Sequence, residues 1–214
     1  MLSTLALATA LTLAPGPSGF VVCLDTSARA SDDDLREVYE GGRSYADFLS
    51  HAEHRVELWR GNGDKAEGID AALVERARAV LGTWRFLAVA VDSCSDSVST
   101  VPYLARLVSL VEGLDMRIVD STVGRAIMES HRTPDGRAST PTVLLLNAAY
   151  EESGCFIERP PKLQRWILEN DGTLSSEDVF EQKMEWYAED AGQNTLEAFV
   201  AMLESAEEGS VICQ

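Results

Sequence analysis

The sequence predicts an α/β protein, a mixed central sheet flanked by helices, with extra helices at both ends. Three observations carry this. Trp84-Arg85-Phe86-Leu87-Ala88-Val89-Ala90-Val91 is an almost unbroken apolar run, the pattern of a strand buried on both faces of a helix-covered sheet. A helical stretch follows it, and then a short strand, Met116-Arg117-Ile118-Val119-Asp120. Two strands joined through a helix run parallel. Finally, Thr142 to Leu146 and Gly154 to Ile157 read as two strands of a hairpin, with Asn147 to Ser153 as the connection.

The remaining elements fall into place around these strands. Ser31-Asp32-Asp33-Asp34 is an acidic helix opening, since carboxylates suit helix N-termini. Tyr45 to His51 has helical spacing, and Arg60-Gly61-Asn62-Gly63-Asp64 reads as a loop. Asp70 to Leu81 is an amphipathic helix with Leu73, Val74, Ala77, Val80 and Leu81 on one face, capped by Asp70 and ended by Gly82. Ser97 to Val111 is a helix with Val101, Leu104, Leu107, Val108 and Val111 inward, and Pro102 falls near its first turns or kinks it. Val123 to His131 is another helix, and Thr133-Pro134-Asp135-Gly136 is a turn. Pro160-Pro161 opens a helix through Leu168, and two acidic helices follow near Ser176 to Tyr187 and Thr195 to Ala206. The chain thus divides into a leader at 1–30, an α/β domain with a helical lead-in at 31–170, and an acidic helical extension at 171–214.

Composition narrows the function classes. Net charge is −17, and residues 175–214 hold ten acidic side chains against a single Lys, more than half of the excess. Such a surface repels nucleic acid and anionic membrane, so neither is an expected partner. The apolar stripe Leu196, Phe199, Val200 and Leu203 requires the last helix to pack on something, its own domain before a partner. The four cysteines (Cys23, Cys94, Cys155, Cys213) and three histidines (His51, His54, His131) form no metal-ligand spacing. His51 and His54 read as solvated, Cys155 as a small core residue, and Cys23 and Cys213 as members of flexible ends. Signatures of nucleotide binding, metal hydrolysis and Ser-His-Asp hydrolysis are missing, so no cofactor and no metal is expected.

Residues 1–30 carry conflicting signals. Leu2 to Ala14 has the length of a signal-peptide apolar region and is too short to span a membrane, and Ala28-Arg29-Ala30 offers a cleavage site before Ser31. Against this, no Lys or Arg precedes the run, and Pro15-Gly16-Pro17 interrupts it. The expectation is export. The alternative is a cytoplasmic protein with a disordered or mis-started N-terminus.

The chemistry centres on Cys94. It follows the first buried strand and stands at the head of a helix, where the peptide dipoles favour thiolate over thiol. Thiolates are the nucleophiles of disulfide exchange. Ser97 occupies the place where a second thiol would complete a Cys-x-x-Cys pair, and Thr140-Pro141 heads the third strand.

This order resembles the thioredoxin fold. It is similar in particular to a bacterial thioredoxin-like group with a Trp-Cys-Gly-Asp-Cys type active site. The matching residues are Ser93-Cys94-Ser95-Asp96-Ser97, Pro102-Tyr103-Leu104, Arg117-Ile118-Val119-Asp120, Thr140-Pro141 and Glu158-Arg159-Pro160. The likeness covers about Tyr45 to Glu169. The tryptophan, the glycine and the second cysteine of the motif are serines here, while Cys94 and Asp96 remain. The resemblance implies a cis Thr140-Pro141 peptide facing Cys94, with the Thr140 backbone available to an extended substrate segment. It also implies partners that are protein or small-molecule thiols and disulfides. For an exported chain it implies a periplasmic location.

Two functions stay open. The first is monothiol thiol–disulfide exchange through Cys94, with the Ser97 hydroxyl donating to the thiolate and Asp96 opposing it by its charge. An external thiol must then release the product. The second is a redox-inactive binding module that uses the groove beside Pro141. Glu158-Arg159 is either an ion pair that fixes the last helix or a surface pair worth under about 1 kcal/mol.

Overall fold

The computed structural model describes residues 32–214. The expected leader lies outside the described residues. Four helices lead in: α1 (Asp32–Glu40), α2 (Tyr45–Ser50), α3 (Val56–Ala66) and α4 (Ala71–Ala79). The core follows as β1 (Trp84–Val89), α5 (Ser95–Leu110), β2 (Leu114–Val119), α6 (Arg125–Ser130), β3 (Thr142–Leu146) and β4 (Glu152–Ile157). The chain ends with α7 (Pro161–Asn170), α8 (Ser176–Asp190), α9 (Gln193–Glu207) and β5 (Ile212–Cys213).

The strands form one sheet in the order β2-β1-β3-β4-β5. β1 pairs with β2 in parallel, as a helical crossover demands, and β3 is antiparallel to both β1 and β4. β1 and β3 are central and buried on both faces, which is why their sequences do not alternate. One face carries Phe86, Ala88, Val143, Leu145 and Phe156 against α3, α4, α5 and α9. The other carries Leu87, Val89, Leu144 and Leu146 against α1 and α6.

The C-terminal segment belongs to this same core. Phe199 of α9 is fully buried between Phe86 and Phe156, with ring centroids at 5.6 and 4.7 Å. Leu196, Val200 and Leu203 are buried beside it, so the predicted stripe covers the chain's own sheet. The turn from α8 to α9 uses Gly192 at φ 82°, where a Cβ would collide with the Tyr103 ring. Cys213 is not part of a flexible end: it lies in β5, parallel to β4, and is disulfide-bonded to Cys155. Cys155 is buried as expected, but as half of a covalent bridge rather than as a simple core thiol.

The Arg60–Asp64 stretch, expected as a loop, is the middle of α3. Two helical glycines cost about 1 kcal/mol each. Tertiary contacts outweigh that cost: Trp59 is fully buried, and Asn62 meets a need created on α5. Pro102 lies inside α5 and has no N–H to give Val98, four residues earlier. The Asn62 side-chain amide donates to that carbonyl at 2.8 Å instead.

Asn62→Ala should therefore lower the unfolding free energy by about 1–2 kcal/mol, the cost of an orphaned buried carbonyl. Pro102→Ala returns the helical N–H and should suppress most of that loss. Urea unfolding of the two single variants and the double variant measures the coupling.

Candidate active site at Cys94

The loop after β1 is held from below by the α2–α3 region. Asp92 accepts the backbone N–H groups of Glu53 and His54 at 2.7 and 2.9 Å, and its carboxylate also meets the exposed His54 ring. Burial pushes the Asp92 carboxyl up, but these donors outweigh it and hold it below the usual aspartate range. Trp59 Nε1 donates to the Asp92 carbonyl at 3.0 Å, and Arg55 Nε donates to the Ser93 carbonyl at 2.7 Å. The backbone entering Cys94 is thereby fixed on three sides.

Cys94 is the N-cap of α5 and is half-buried. Its sulfur accepts the Ser97 backbone N–H at 3.4 Å and stands 3.1 Å from the Thr140 carbonyl, to which the thiol donates. The Thr140–Pro141 peptide is cis. Cys94, Thr140 and Pro141, separated by more than forty residues in sequence, thus form one constellation. Four cavities of about 320 to 500 Å³ lie elsewhere on the described residues, and Cys94, Thr140 and Pro141 line none of these four.

Ser97 does not act as the sequence suggested. Its hydroxyl is buried with no hydrogen-bond partner, and only its backbone amide reaches the sulfur. The helical turn aims the side chain into the core, where a second thiol would sit. Ser95, by contrast, accepts a hydrogen bond from Lys183 Nζ at 2.8 Å.

Asp96 also departs from expectation. Its carboxylate is no uncompensated charge beside the thiol, because it sits in a buried cluster of opposite charges. Oδ1 accepts from Arg159 Nε and Tyr187 OH, each at 3.0 Å, and Oδ2 accepts from Lys183 Nζ at 2.8 Å. Arg159 also donates to Glu158 at 2.9 Å and to Gln164 at 3.2 Å. Arg137, half-exposed, forms a bidentate pair with Glu158 at 2.9 and 3.0 Å. Glu158-Arg159 is therefore a buried pair, not a surface one. Glu158 takes a left-handed φ of 66°, costly by about 1 kcal/mol for a residue with a Cβ. In that conformation its N–H donates to the Pro141 carbonyl at 2.7 Å. Backbone and side-chain bonds thus run from Pro141 through Glu158 and Arg159 to Asp96, two residues from Cys94.

A family model described as thioredoxin matches residues 42–179. The chain belongs to the thioredoxin family. Among solved structures, this thioredoxin-family chain is similar to a protein of unknown function from Pseudomonas aeruginosa. The TM-score is 0.63 and the identity 21%, over 80% of this chain and 97% of that one. An HIV epitope-scaffold gives a TM-score of 0.60 and 21% identity over 79% and 97% of the two chains. At this identity the likeness speaks for the fold alone. No curated protein matches. Among the described residues no helix is long and apolar enough to cross a membrane.

The sequence pointed to Cys94, Ser97, Asp96, Thr140, Pro141, Glu158 and Arg159, and the structure gathers all seven around one loop junction. It did not point to Lys183, Tyr187, Gln164, Arg55 or Trp59. The one legible signal for the first two was a single Lys in an otherwise acidic helix with Tyr four residues on, which places both on one face.

Lys183→Met leaves the buried Asp96 carboxylate with one cation fewer and should cost about 3 kcal/mol. Adding Asp96→Asn should recover part of that loss, and denaturant unfolding of the cycle measures it. Burial, then the Asp96 charge and hydrogen bond, push the Tyr187 phenol well above its ordinary value. Above about pH 10 the unfolded chain gives up that proton and the folded chain keeps it, so stability falls as pH rises. Tyr39 and Tyr45 act the same way. Tyr187→Phe should therefore flatten the alkaline slope by about 1.4 kcal/mol per pH unit without abolishing it, as measured by urea unfolding between pH 9 and about 11.

Proposed function

We propose that this thioredoxin-family protein performs monothiol thiol–disulfide exchange through Cys94 on protein or small-molecule disulfides. The observation that carries the reading is the half-buried thiol at the head of α5, in contact with the backbone of the cis Thr140–Pro141 loop. The Cys94 thiolate attacks a substrate disulfide. A Cys94–substrate S–S bond forms, the substrate S–S bond breaks, and the departing sulfur takes a proton. Ser97 cannot attack the mixed disulfide. A first external thiol, of the glutathione class, releases the substrate thiol and remains joined to Cys94. A second regenerates Cys94 and leaves as the oxidised disulfide. Two external thiols are thus oxidised for each substrate disulfide reduced.

Ser97 favours a second reading. Its buried hydroxyl without a partner and the lack of a resolving thiol suit a redox-inactive thioredoxin-fold module that binds extended segments beside Pro141. We further propose that the protein works outside the cytoplasm. The Cys155–Cys213 disulfide supports this, because such bonds persist in oxidising compartments.

The readings separate on turnover. Glutathione-dependent reduction of a small disulfide, lost in Cys94→Ser, supports the monothiol enzyme. An intact fold with neither turnover nor trapped mixed disulfides overturns it in favour of the binding module. Ser97→Cys places a thiol in the vacant partner position. It should form an internal disulfide with Cys94, seen by mass spectrometry of alkylated protein, and should raise disulfide-reductase activity about tenfold or more by resolving the mixed disulfide internally.

A further inference from the structure

The edge of the sheet carries a second set of chemically competent side chains. His131, Glu152 and Cys155 place a ring nitrogen, a carboxylate oxygen and a sulfur all within 4.8 Å of one another. Cys213 is joined to Cys155, so opening that disulfide would put a second thiol beside the cluster. These residues come from the end of α6, from β4 and from β5. The Cys94 constellation uses none of them.

The donors are oriented as well as close. His131 Nδ1 lies 2.9 Å from the Ile127 carbonyl and 3.0 Å from the Ser130 hydroxyl, which hold the ring in place. Nε2 is the ring nitrogen that faces the cluster, 3.0 Å from Glu152 Oε1. A backbone carbonyl that fixes one imidazole nitrogen and directs the other is the usual outer support of a metal-bound histidine. His131 and Cys155 are buried, Glu152 is largely so, and Cys213 is exposed, which gives an ion a path in.

We propose that the reduced form of this site binds a divalent ion of the zinc class through Cys155, Cys213, His131 and Glu152, and that the disulfide and the metal site are alternative states of one clasp. Two thiolates, an imidazole and a carboxylate suit a borderline-soft tetrahedral ion. A dithiol reductant passes two electrons and two protons to the disulfide and becomes a disulfide itself. Cys155 and Cys213 become thiols, and the ion displaces their two protons on binding. Zn–S bonds of about 2.3 Å at tetrahedral angles set the sulfurs ~3.8 Å apart. The two-residue strand β5 has to move outward only by the difference between that separation and an S–S bond.

The test uses the full chain carrying Cys23→Ser and Cys94→Ser, so that Cys155 and Cys213 are the only thiols, with a thiol-free phosphine as reductant. Zn²⁺ should bind the reduced protein one to one and raise its melting temperature, and should bind the oxidised protein far more weakly. Co²⁺ should give thiolate-to-metal charge-transfer and tetrahedral ligand-field bands. His131→Ala and Glu152→Gln should each weaken binding by about tenfold or more. Glu152→Gln keeps a side chain that can hydrogen-bond to His131 Nε2 and so serves if His131→Ala disturbs the fold, which circular dichroism reports. Failure of the reduced protein to bind Zn²⁺, equal binding by the oxidised protein, or affinity unchanged in both variants would overturn the proposal. Because Cys94 is absent throughout, none of these outcomes depends on exchange chemistry at the other site.

Discussion

Taking a carboxylate out of water costs several kcal/mol unless matching charges and donors meet it inside. Asp96 imposes that condition at the head of α5, and much of the architecture answers it. Lys183 and Tyr187 bring α8 across the α5 N-terminus, and Arg159 brings the β4–α7 junction to the same carboxylate. Glu158 then balances Arg159 and, through its backbone, secures the cis-proline loop. One buried negative charge thereby sets where three separate chain segments lie around the cysteine. In this chain Asp96 and the Glu158-Arg159 pair are thus two halves of one electrostatic unit.

The three serines of the motif divide labour in a way their shared chemistry conceals. Ser93 contributes a carbonyl that takes Arg55, Ser95 contributes a hydroxyl that takes Lys183, and Ser97 contributes a backbone amide to sulfur while its hydroxyl bonds to nothing. Of the three, only the Ser95 side chain is drawn into the hydrogen-bonded frame, since Ser93 acts through a backbone carbonyl that any residue would supply. The Ser97 hydroxyl is an unsatisfied polar group in the core, which is where chemistry and packing disagree.

The sheet was largely legible in the sequence, because buried strands announce themselves as apolar runs, and Cys94 was legible at the head of the helix after the first of them, whereas its meeting with Thr140-Pro141 was implied by the likeness to the thioredoxin fold. What escaped was set by contacts between distant segments. Glycines at 61 and 63 marked a loop by local propensity, but Trp59 burial and the Asn62 bond to Val98 hold a helix there. Cys213 near the chain end gave no hint of β5, since a two-residue strand exists only through pairing with β4. His131 and Glu152 are 21 residues apart, and Cys155 and Cys213 are 58 apart, separations that no ligand-spacing rule detects.

The Cys155–Cys213 bridge makes a covalent ring of everything between those two residues, and α7, α8 and α9 all lie inside it. Lys183 and Tyr187 are therefore tethered to the sheet at both ends of their segment. A single proteolytic cut in the exposed turn at Asp171–Gly172 would leave two pieces that still travel as one molecule, with α8 free to settle back over Asp96. In the oxidised state the charge cluster thus survives a break in the polypeptide that covers it.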